Sequence, residues 1–315
     1  VLFRSAKIAI SIALLYVAIG KTDFSALGAR LSQLHPLWMV VAVAMTLLQI
    51  ALQSVRWHHI ATLCDAKLPV PRAIRFSVIA SFFNQVLPST IGGDGLRVWL
   101  TARSGASWKQ ATYSVLLDRF IGLLALALLV VGCLPWSLKL VQNEHGRLVL
   151  ILLAAASLCA ALGFVAFGFL TWAPLLRWWP TRHLIQMAET VRKVFASVPL
   201  LLVVMALSLA VHLLSVATGW CAAMAIDSPF RFADALVLVP PVILISMVPV
   251  SIAGWGVRES ALMVAFTYAG LPEGDGLLVS MLYGAVLFAI GVFGGVVWLL
   301  SSDRTAKIAN QAAET

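Results

Sequence analysis

Several apolar runs in this sequence are long enough to cross a lipid bilayer, and they constrain the fold more than any other feature. A transmembrane helix needs about 20 predominantly apolar residues. Six runs are near or above this length: about 6–20, 36–57, 111–135, 148–171, 198–226 and 277–300. With 61% hydrophobic and 11% charged residues, the chain lies outside the range of soluble domains. We therefore expect an all-α polytopic membrane protein and exclude a soluble enzyme and a disordered chain.

Two further apolar regions, 76–104 and 235–270, are interrupted by proline and clustered glycine. Proline removes a backbone donor and glycine loosens the backbone, so neither region is expected to form one continuous helix. We predict a re-entrant hairpin of two short helices in each region. The alternative is that each region forms a pair of ordinary short spans. The predicted breaks are Pro88, Gly92, Gly93, Gly95, Pro249, Gly254 and Gly256.

Lysine and arginine residues are distributed unevenly between the predicted loops. If residue 1 is cytoplasmic and both hairpins are re-entrant, fourteen of the 22 basic residues fall in cytoplasmic segments and five on the opposite side. Arg97, Arg119 and Arg258 remain within the membrane. Because cytoplasmic loops carry an excess of Lys and Arg, we expect both termini in the cytoplasm. The same rule accounts for the net charge of +9 without a nucleic-acid partner.

The segment 172–197 is predicted to be a cytoplasmic interfacial segment. Its residues 182–195 place apolar side chains on one helical face, which is typical of a helix lying along a membrane surface. That face consists of Leu184, Ile185, Ala188, Val191 and Phe195. Tryptophans near predicted span ends are expected to lie at the membrane interfaces; they are Trp38, Trp57, Trp136, Trp172 and Trp298.

A repeated motif relates the two broken regions. Residues 86–97 align without gaps on residues 247–258, with five of twelve positions identical and an offset of 161 residues between equivalent positions. The chain is therefore predicted to be a single domain with a first repeat at 36–135 and a second at 198–300. Under the charge-based topology the two hairpins enter from opposite faces. Broken helices in an inverted repeat are typical of secondary transporters.

Six charged residues lie in apolar surroundings, where a charge at the bilayer centre costs about 2.5–3.5 kcal/mol. Neighbouring residues on a helix point about 100° apart, so Asp118 and Arg119 should not pair with each other. We expect Arg119 to pair with Asp94 or Glu259, and Asp118 to pair with Arg97 or Arg258. These charges could form a structural ion-pair network or line a functional cavity.

The remaining sequence features indicate packing and hydrogen bonding rather than a binding site. His212 is predicted to be a hydrogen-bonded core residue, and Gly291 and Gly295 to permit close helix packing. The four cysteines form neither a disulfide framework nor a metal site. The sequence lacks zinc-protease, nucleophile-elbow and dinucleotide motifs, so we expect no cofactor and no bound metal.

The stretch from Asn84 to Arg97, the pair Asp118-Arg119 and the stretch from Pro249 to Glu259 resemble the transmembrane region of lysylphosphatidylglycerol synthases, also called the flippase-like domain family. The resemblance covers nearly the whole chain. In the multiple peptide resistance factor, this domain is joined to a cytoplasmic transferase domain that makes lysyl-phosphatidylglycerol, and the membrane part moves that lipid to the outer leaflet.

The resemblance implies a lipid flippase-like transporter of the bacterial inner membrane whose partners are membrane lipids. Because the sequence has no synthase domain before Thr315, we expect a stand-alone member that is not an enzyme. Two alternatives remain: a membrane anchor for a cytoplasmic lipid-modifying enzyme, docked on 172–197, and a membrane-embedded lipid-phosphate transferase that uses Asp94 or Asp118. The candidate lipid-binding residues are Asn84, Asp94, Arg97, Asp118, Arg119, Trp255, Arg258 and Glu259.

The repeated arginines Arg97 and Arg258 are predicted to bind the lipid phosphate alternately from the two sides. An arginine fork beside a helix N-terminus suits a phosphodiester, and Trp255 would line the outer entrance. Asp94, at the position equivalent to Trp255, could favour a cationic headgroup such as a lysyl ester.

The predicted topology can be tested by cysteine labelling in a cysteine-free background. A single cysteine at Gly105 should be inaccessible from outside, and one at Gly274 should react. Reaction at position 105 from outside would contradict the whole layout.

Overall fold

The computed structural model describes residues 32–87, 92–167, 179–247 and 254–301. In these ranges the chain is all-helical, with ten α-helices and no strand. The first predicted span and the prolines Pro88 and Pro249 lie outside them. The helices are α1 (Pro36–Leu63), α2 (Val70–Val86), α3 (Gly92–Arg103), α4 (Trp108–Leu140), α5 (Glu144–Phe167), α6 (Trp179–Ala196), α7 (Val198–Met224), α8 (Phe232–Ser246), α9 (Val257–Tyr268) and α10 (Glu273–Leu300).

Four of the described helices, α1, α4, α7 and α10, are long and apolar enough to cross a membrane. The chain is therefore an all-α polytopic membrane protein, as predicted. The run predicted at 148–171 forms α5 up to Phe167, and its last four residues lie outside the described ranges. Helix α1 continues to Leu63, six residues past the predicted end of its span.

Each broken region folds into two short helices that pack against each other, α2 on α3 and α8 on α9. The arms contain 17 and 12 residues in the first hairpin, and 15 and 12 residues in the second. A helix rises 1.5 Å per residue, so a second arm extends only about 18 Å. That is short of the roughly 30 Å hydrocarbon core, and it favours hairpins over pairs of full spans.

Helices α1 and α7 pack closely and run antiparallel. The Trp38 and Trp220 rings lie 5.3 Å apart near one end, and Arg56 donates to Ser208 Oγ at 3.0 Å towards the other. As residue numbers rise along α1, the residue numbers of the contacting partners on α7 therefore fall. Between these two ends, the Thr46 and Thr218 hydroxyl oxygens of the two helices lie 3.4 Å apart.

The hairpins pack across the chain rather than only within their own halves. Helix α2 packs on α10, and α8 packs on α4. The predicted close packing at Gly291 and Gly295 is confirmed: a Cβ at Gly291 would lie 2.9 Å from Gln85 Cγ, and one at Gly295 2.9 Å from Phe82 Cδ2. Between them, Gly294 lies directly against the Val78 carbonyl oxygen.

Helix α6 contacts the protein through its apolar side. Ile185, Met187, Val191 and Val194 are buried. The last three belong to a hydrophobic cluster with residues of α1, α4 and α7. Of the predicted apolar face, Ile185 and Val191 therefore meet protein, whereas Phe195 is exposed. The side chains of Leu184 and Ala188, which complete the predicted face, are not among those that the structure describes.

The loop after α3 affects the labelling experiment. Gly105 has a φ of +109°, a conformation that strains any residue with a Cβ. Lys109, which is exposed at the start of α4, is the better cysteine position for the same loop.

Replacing Gly294 by alanine should destabilise the bundle, because the added Cβ would collide with the Val78 backbone. Overpacking of this kind costs about 1–3 kcal/mol. The measurement is the apparent melting temperature of the purified protein in detergent. Gly132→Ala on α4 is the control, since its Cβ would enter open space. Equal melting temperatures for the two variants would contradict the close packing.

Candidate functional site

A polar stripe runs along α1 inside an otherwise apolar span. Thr46, Gln49, Gln53 and Arg56 are spaced three, four and three residues apart, so they lie on one helical face. All four line the same cavity. The stripe thus places polar groups at the interface between α1 and α7, where apolar side chains would otherwise be expected.

The cavity has a volume of about 340 Å³ and lies at the centre of the bundle. Both halves of the chain line it: α1 to α4 from the first, and α7 to α10 from the second. Its polar lining includes Asn84, His212 and Tyr283, and its apolar lining includes Leu123 and Ile290. The cavity is therefore amphipathic.

The charged groups at this cavity are segregated by sign. Four arginines line it: Arg56, Arg97, Arg119 and Arg258. The acidic side chains that pair with them do not line it; these are Asp94, Asp118 and Glu259. Four positive charges against three negative ones leave an excess of one positive charge, and the cavity surface carries only the cations.

Asp118 on α4 is fully buried and binds arginines from two other helices. Arg56 on α1 donates from Nε to Asp118 Oδ1 at 2.9 Å, and Arg97 on α3 donates from Nη2 to Oδ2 at 2.9 Å. Arg56 also donates to the Asp118 carbonyl at 3.2 Å. One carboxylate thus holds α1, α3 and α4 together. A buried ion that water cannot solvate needs such charged hydrogen-bond partners.

The second anchor of the first hairpin is Asp94. It accepts from Arg97 Nη1 at 3.3 Å and from Arg119 Nε at 2.7 Å. Arg97 is also stacked 3.9 Å from the Trp57 ring centre, a cation–π contact. Its Nε is buried without a hydrogen-bond partner among the described residues.

In the second half the ions are paired more locally. Arg258 donates to the adjacent Glu259 at 2.6 Å and to Ser280 Oγ on α10 at 3.1 Å. Glu259 accepts from the Gly256 amide at 2.6 Å and so closes the first turn of α9. Arg258 also lies 5.2 Å from the Trp255 ring and 5.6 Å from the Tyr283 ring.

The two copies of the repeated motif have different backbones. Gly93 and Gly95 are helical within α3, whereas Gly254 and Gly256 have φ of +79° and +86° in a turn before α9. Gly93 donates to Asn84 Oδ1 at 3.0 Å and lies close against α2, where any Cβ would collide. Each second arm begins two residues before an acidic residue, which favours the helix N-terminus electrostatically.

The structure confirms both predicted pairings, Arg119 with Asp94 and Asp118 with Arg97. His212 is hydrogen-bonded as predicted, with Nε2 2.9 Å from the Gly122 carbonyl. Trp255 contacts Arg258, but it does not line the cavity. The lipid-binding roles of these residues stay predictions.

The helix break predicted at Gly92, Gly93 and Gly95 is wrong, because all three residues are helical in α3. Glycine is needed at Gly93 for a close approach to α2, where a Cβ would collide with the Ala80 carbonyl oxygen.

Two further predictions were wrong. Arg56 does not lie in a loop at the end of its predicted span but is buried in α1, because Asp118 draws it into the bundle. Trp57 is not interfacial but fully buried, because Arg97 stacks on it. The polar stripe of α1 was the signal that could have placed Arg56 in the membrane.

No group of three His, Cys, Asp or Glu side chains that could hold a metal ion occurs in the part of the chain that the structure describes. The family model described as "Lysylphosphatidylglycerol synthase TM region" matches residues 4–295. A comparison with curated proteins finds no match.

Replacing Asp118 by asparagine should destabilise the protein strongly, because Arg56 and Arg97 then lose their shared counter-charge. Breaking a buried ion pair costs about 3–5 kcal/mol. Arg56→Gln should lower the free energy of unfolding by a smaller amount, since Arg97 still neutralises Asp118. Apparent melting temperatures in detergent measure this order.

The control is Asp234→Asn, because its partner Arg231 is largely exposed and such pairs contribute about 1 kcal/mol or less. A melting temperature for Asp118→Asn equal to that of the control would contradict the central role of Asp118.

Proposed function

Because this chain belongs to the lysylphosphatidylglycerol synthase TM region family, we propose that it moves a lipid with a phosphate-containing headgroup between the two bilayer leaflets through the central cavity. The cavity lined by four arginines carries this proposal. A guanidinium group binds phosphate oxygens in a bidentate geometry. Charges are costly at membrane depth, and those that persist usually mark a substrate or ion pathway.

An inverted repeat supports access from both leaflets. Helices α1 to α4 have 28, 17, 12 and 33 residues, and α7 to α10 follow the same order with 27, 15, 12 and 28. The equivalent helices α1 and α7 are antiparallel, so the two units point in opposite directions. In an inverted repeat the contact of α2 with α10 would be equivalent to that of α8 with α4, and both contacts are present. Transporters of this architecture bind cargo at the repeat interface.

We also propose that the chain lies in the bacterial inner membrane with both termini in the cytoplasm. Moving Arg56 into the membrane leaves thirteen cytoplasmic basic residues against five outside. The charge bias therefore still favours this orientation.

The positions of the carboxylates weigh against a membrane-embedded transferase. Asp94 and Asp118 are held by arginines behind the cavity surface, so neither faces a substrate in the cavity. For the same reason Asp118 is poorly placed to carry a proton from the cavity.

Anchoring of a cytoplasmic lipid-modifying enzyme is the second candidate. One feature of α6 favours it: the apolar residues face the protein, while Glu189 and Lys193 are exposed. Translocation by the purified chain alone would distinguish transport from anchoring.

Ser81→Leu should lower the translocation rate several-fold, because Ser81 lines the cavity and leucine would fill it. The measurement is loss of fluorescent phosphatidylglycerol from the inner leaflet of proteoliposomes, read by chemical quenching from outside. Ser157→Leu on α5 is the matched control, since both hydroxyls bond a carbonyl of their own helix and Ser157 does not line the cavity. Equal rates for both variants, or no translocation by the parent, would overturn the proposal.

A further inference from the structure

We propose that the cavity selects lipids whose headgroup is anionic and rich in hydroxyl groups, and that it rejects headgroups with a cationic amine. This inference rests on the proposed function, and it names the chemical class of the cargo. It departs from the lysyl ester that Asp94 suggested at the level of sequence, because Asp94 is taken by Arg97 and Arg119.

The first argument is charge. Every Lys, Arg, Asp or Glu that lines the cavity within the described residues is an arginine. An amine of the cargo would lie among like charges with no carboxylate on the surface to receive it. A phosphate meets the opposite situation, because the surplus positive charge of the cluster has no counter-charge among the described residues.

Arg119 is the arginine best placed to touch the cargo. Its side chain is 35% exposed, against 4% for Arg56, 3% for Arg97 and 10% for Arg258. Among the described residues its Nε alone has a partner, Asp94, and the two Nη groups have none. Asp94 thus positions the Arg119 guanidinium group, whose two Nη groups are open to two phosphate oxygens. The other three arginines act through the electrostatic field.

The second argument is the set of carboxamides. Gln49 and Gln53 on α1 and Gln85 on α2 line the cavity, are only partly buried, and have no hydrogen-bond partner among the described residues. A carboxamide both donates and accepts, which matches a hydroxyl group that also does both. The neighbouring Asn84 differs, since its oxygen already accepts from Gly93. Three unsatisfied amides beside an arginine fork suit a polyol attached to a phosphate.

The apolar lining suits an acyl chain, yet the headgroup chemistry is shared by a soluble polyol phosphate. Binding to the purified chain in detergent separates the two sources. The probes are dihexanoyl phosphatidylglycerol, dihexanoyl phosphatidylmethanol, which keeps the phosphodiester and lacks hydroxyls, dihexanoyl lysyl-phosphatidylglycerol, and glycerol 3-phosphate. Ligand-induced shifts of the melting temperature give the dissociation constants.

Phosphatidylglycerol should bind most tightly, and each of the other two lipids about tenfold more weakly, as the loss of one good polar contact predicts. Gln53→Leu should remove the advantage of phosphatidylglycerol over phosphatidylmethanol. Arg119→Lys, which keeps the charge beside Asp94, should weaken both anionic lipids. Lys139→Gln removes a positive charge that does not line the cavity, and it should leave all affinities unchanged.

Lysyl-phosphatidylglycerol binding as tightly as phosphatidylglycerol would overturn the charge argument. Equal binding of phosphatidylmethanol, or a Gln53→Leu variant with parental preference, would overturn the hydroxyl argument. Glycerol 3-phosphate binding as tightly as the lipid would support the headgroup chemistry and assign a soluble source. If the binding order holds while proteoliposomes show no translocation, the proposed function fails and the headgroup selectivity stands.

Discussion

Charged groups inside an apolar bundle have no water to solvate them, so they must find partners in the protein. In this chain that constraint organises the first half. Asp118 joins α1 to α3 through Arg56 and Arg97, and Asp94 joins α3 back to α4 through Arg119. A short arm of 12 residues, too short to span the membrane, is thereby held at a defined depth. This arrangement also gives the cavity its positive lining. Each carboxylate holds its arginine at the cavity wall, while the carboxylate itself does not line the cavity.

The two halves satisfy the same constraint in different ways. In the first half Asp118 and Arg119 form ion pairs between helices. In the second half Arg258 and Glu259 are neighbours on α9, and both hydrogen-bond with Ser280 on α10. The backbone differs accordingly, with Gly254 and Gly256 in a turn where Gly93 and Gly95 are helical. A symmetric sequence motif thus occupies two conformations in one molecule.

Much of the fold follows from local sequence patterns. Long apolar runs predicted α4, α7 and α10, and the proline and glycine clusters predicted that each broken region is divided into two short helices. They did not predict the exact break, because Gly92, Gly93 and Gly95 lie inside α3. The two ion pairs were predictable because charges at membrane depth have few available partners. Arg56 was not, because an arginine followed by Trp57 and two histidines resembles the end of a span. Its position depends on Asp118, which is 62 residues away in sequence. The register of α1 on α7 and the open edge of Arg119 likewise depend on tertiary contacts that no local pattern encodes.

The cross-packing of the hairpins has a consequence for synthesis and insertion of the chain. Helix α2 completes its packing only on α10, about two hundred residues later, and α4 receives α8 from the other half. Contacts of such large sequence separation form slowly because a long loop must close first. The first hairpin therefore leaves the ribosome well before its permanent neighbour exists. Until α10 is inserted, the groove of α2 that receives Gly291, Gly294 and Gly295 is open to lipid or to a membrane chaperone. Helix α10 is thus the element that fixes the position of the first hairpin during biogenesis.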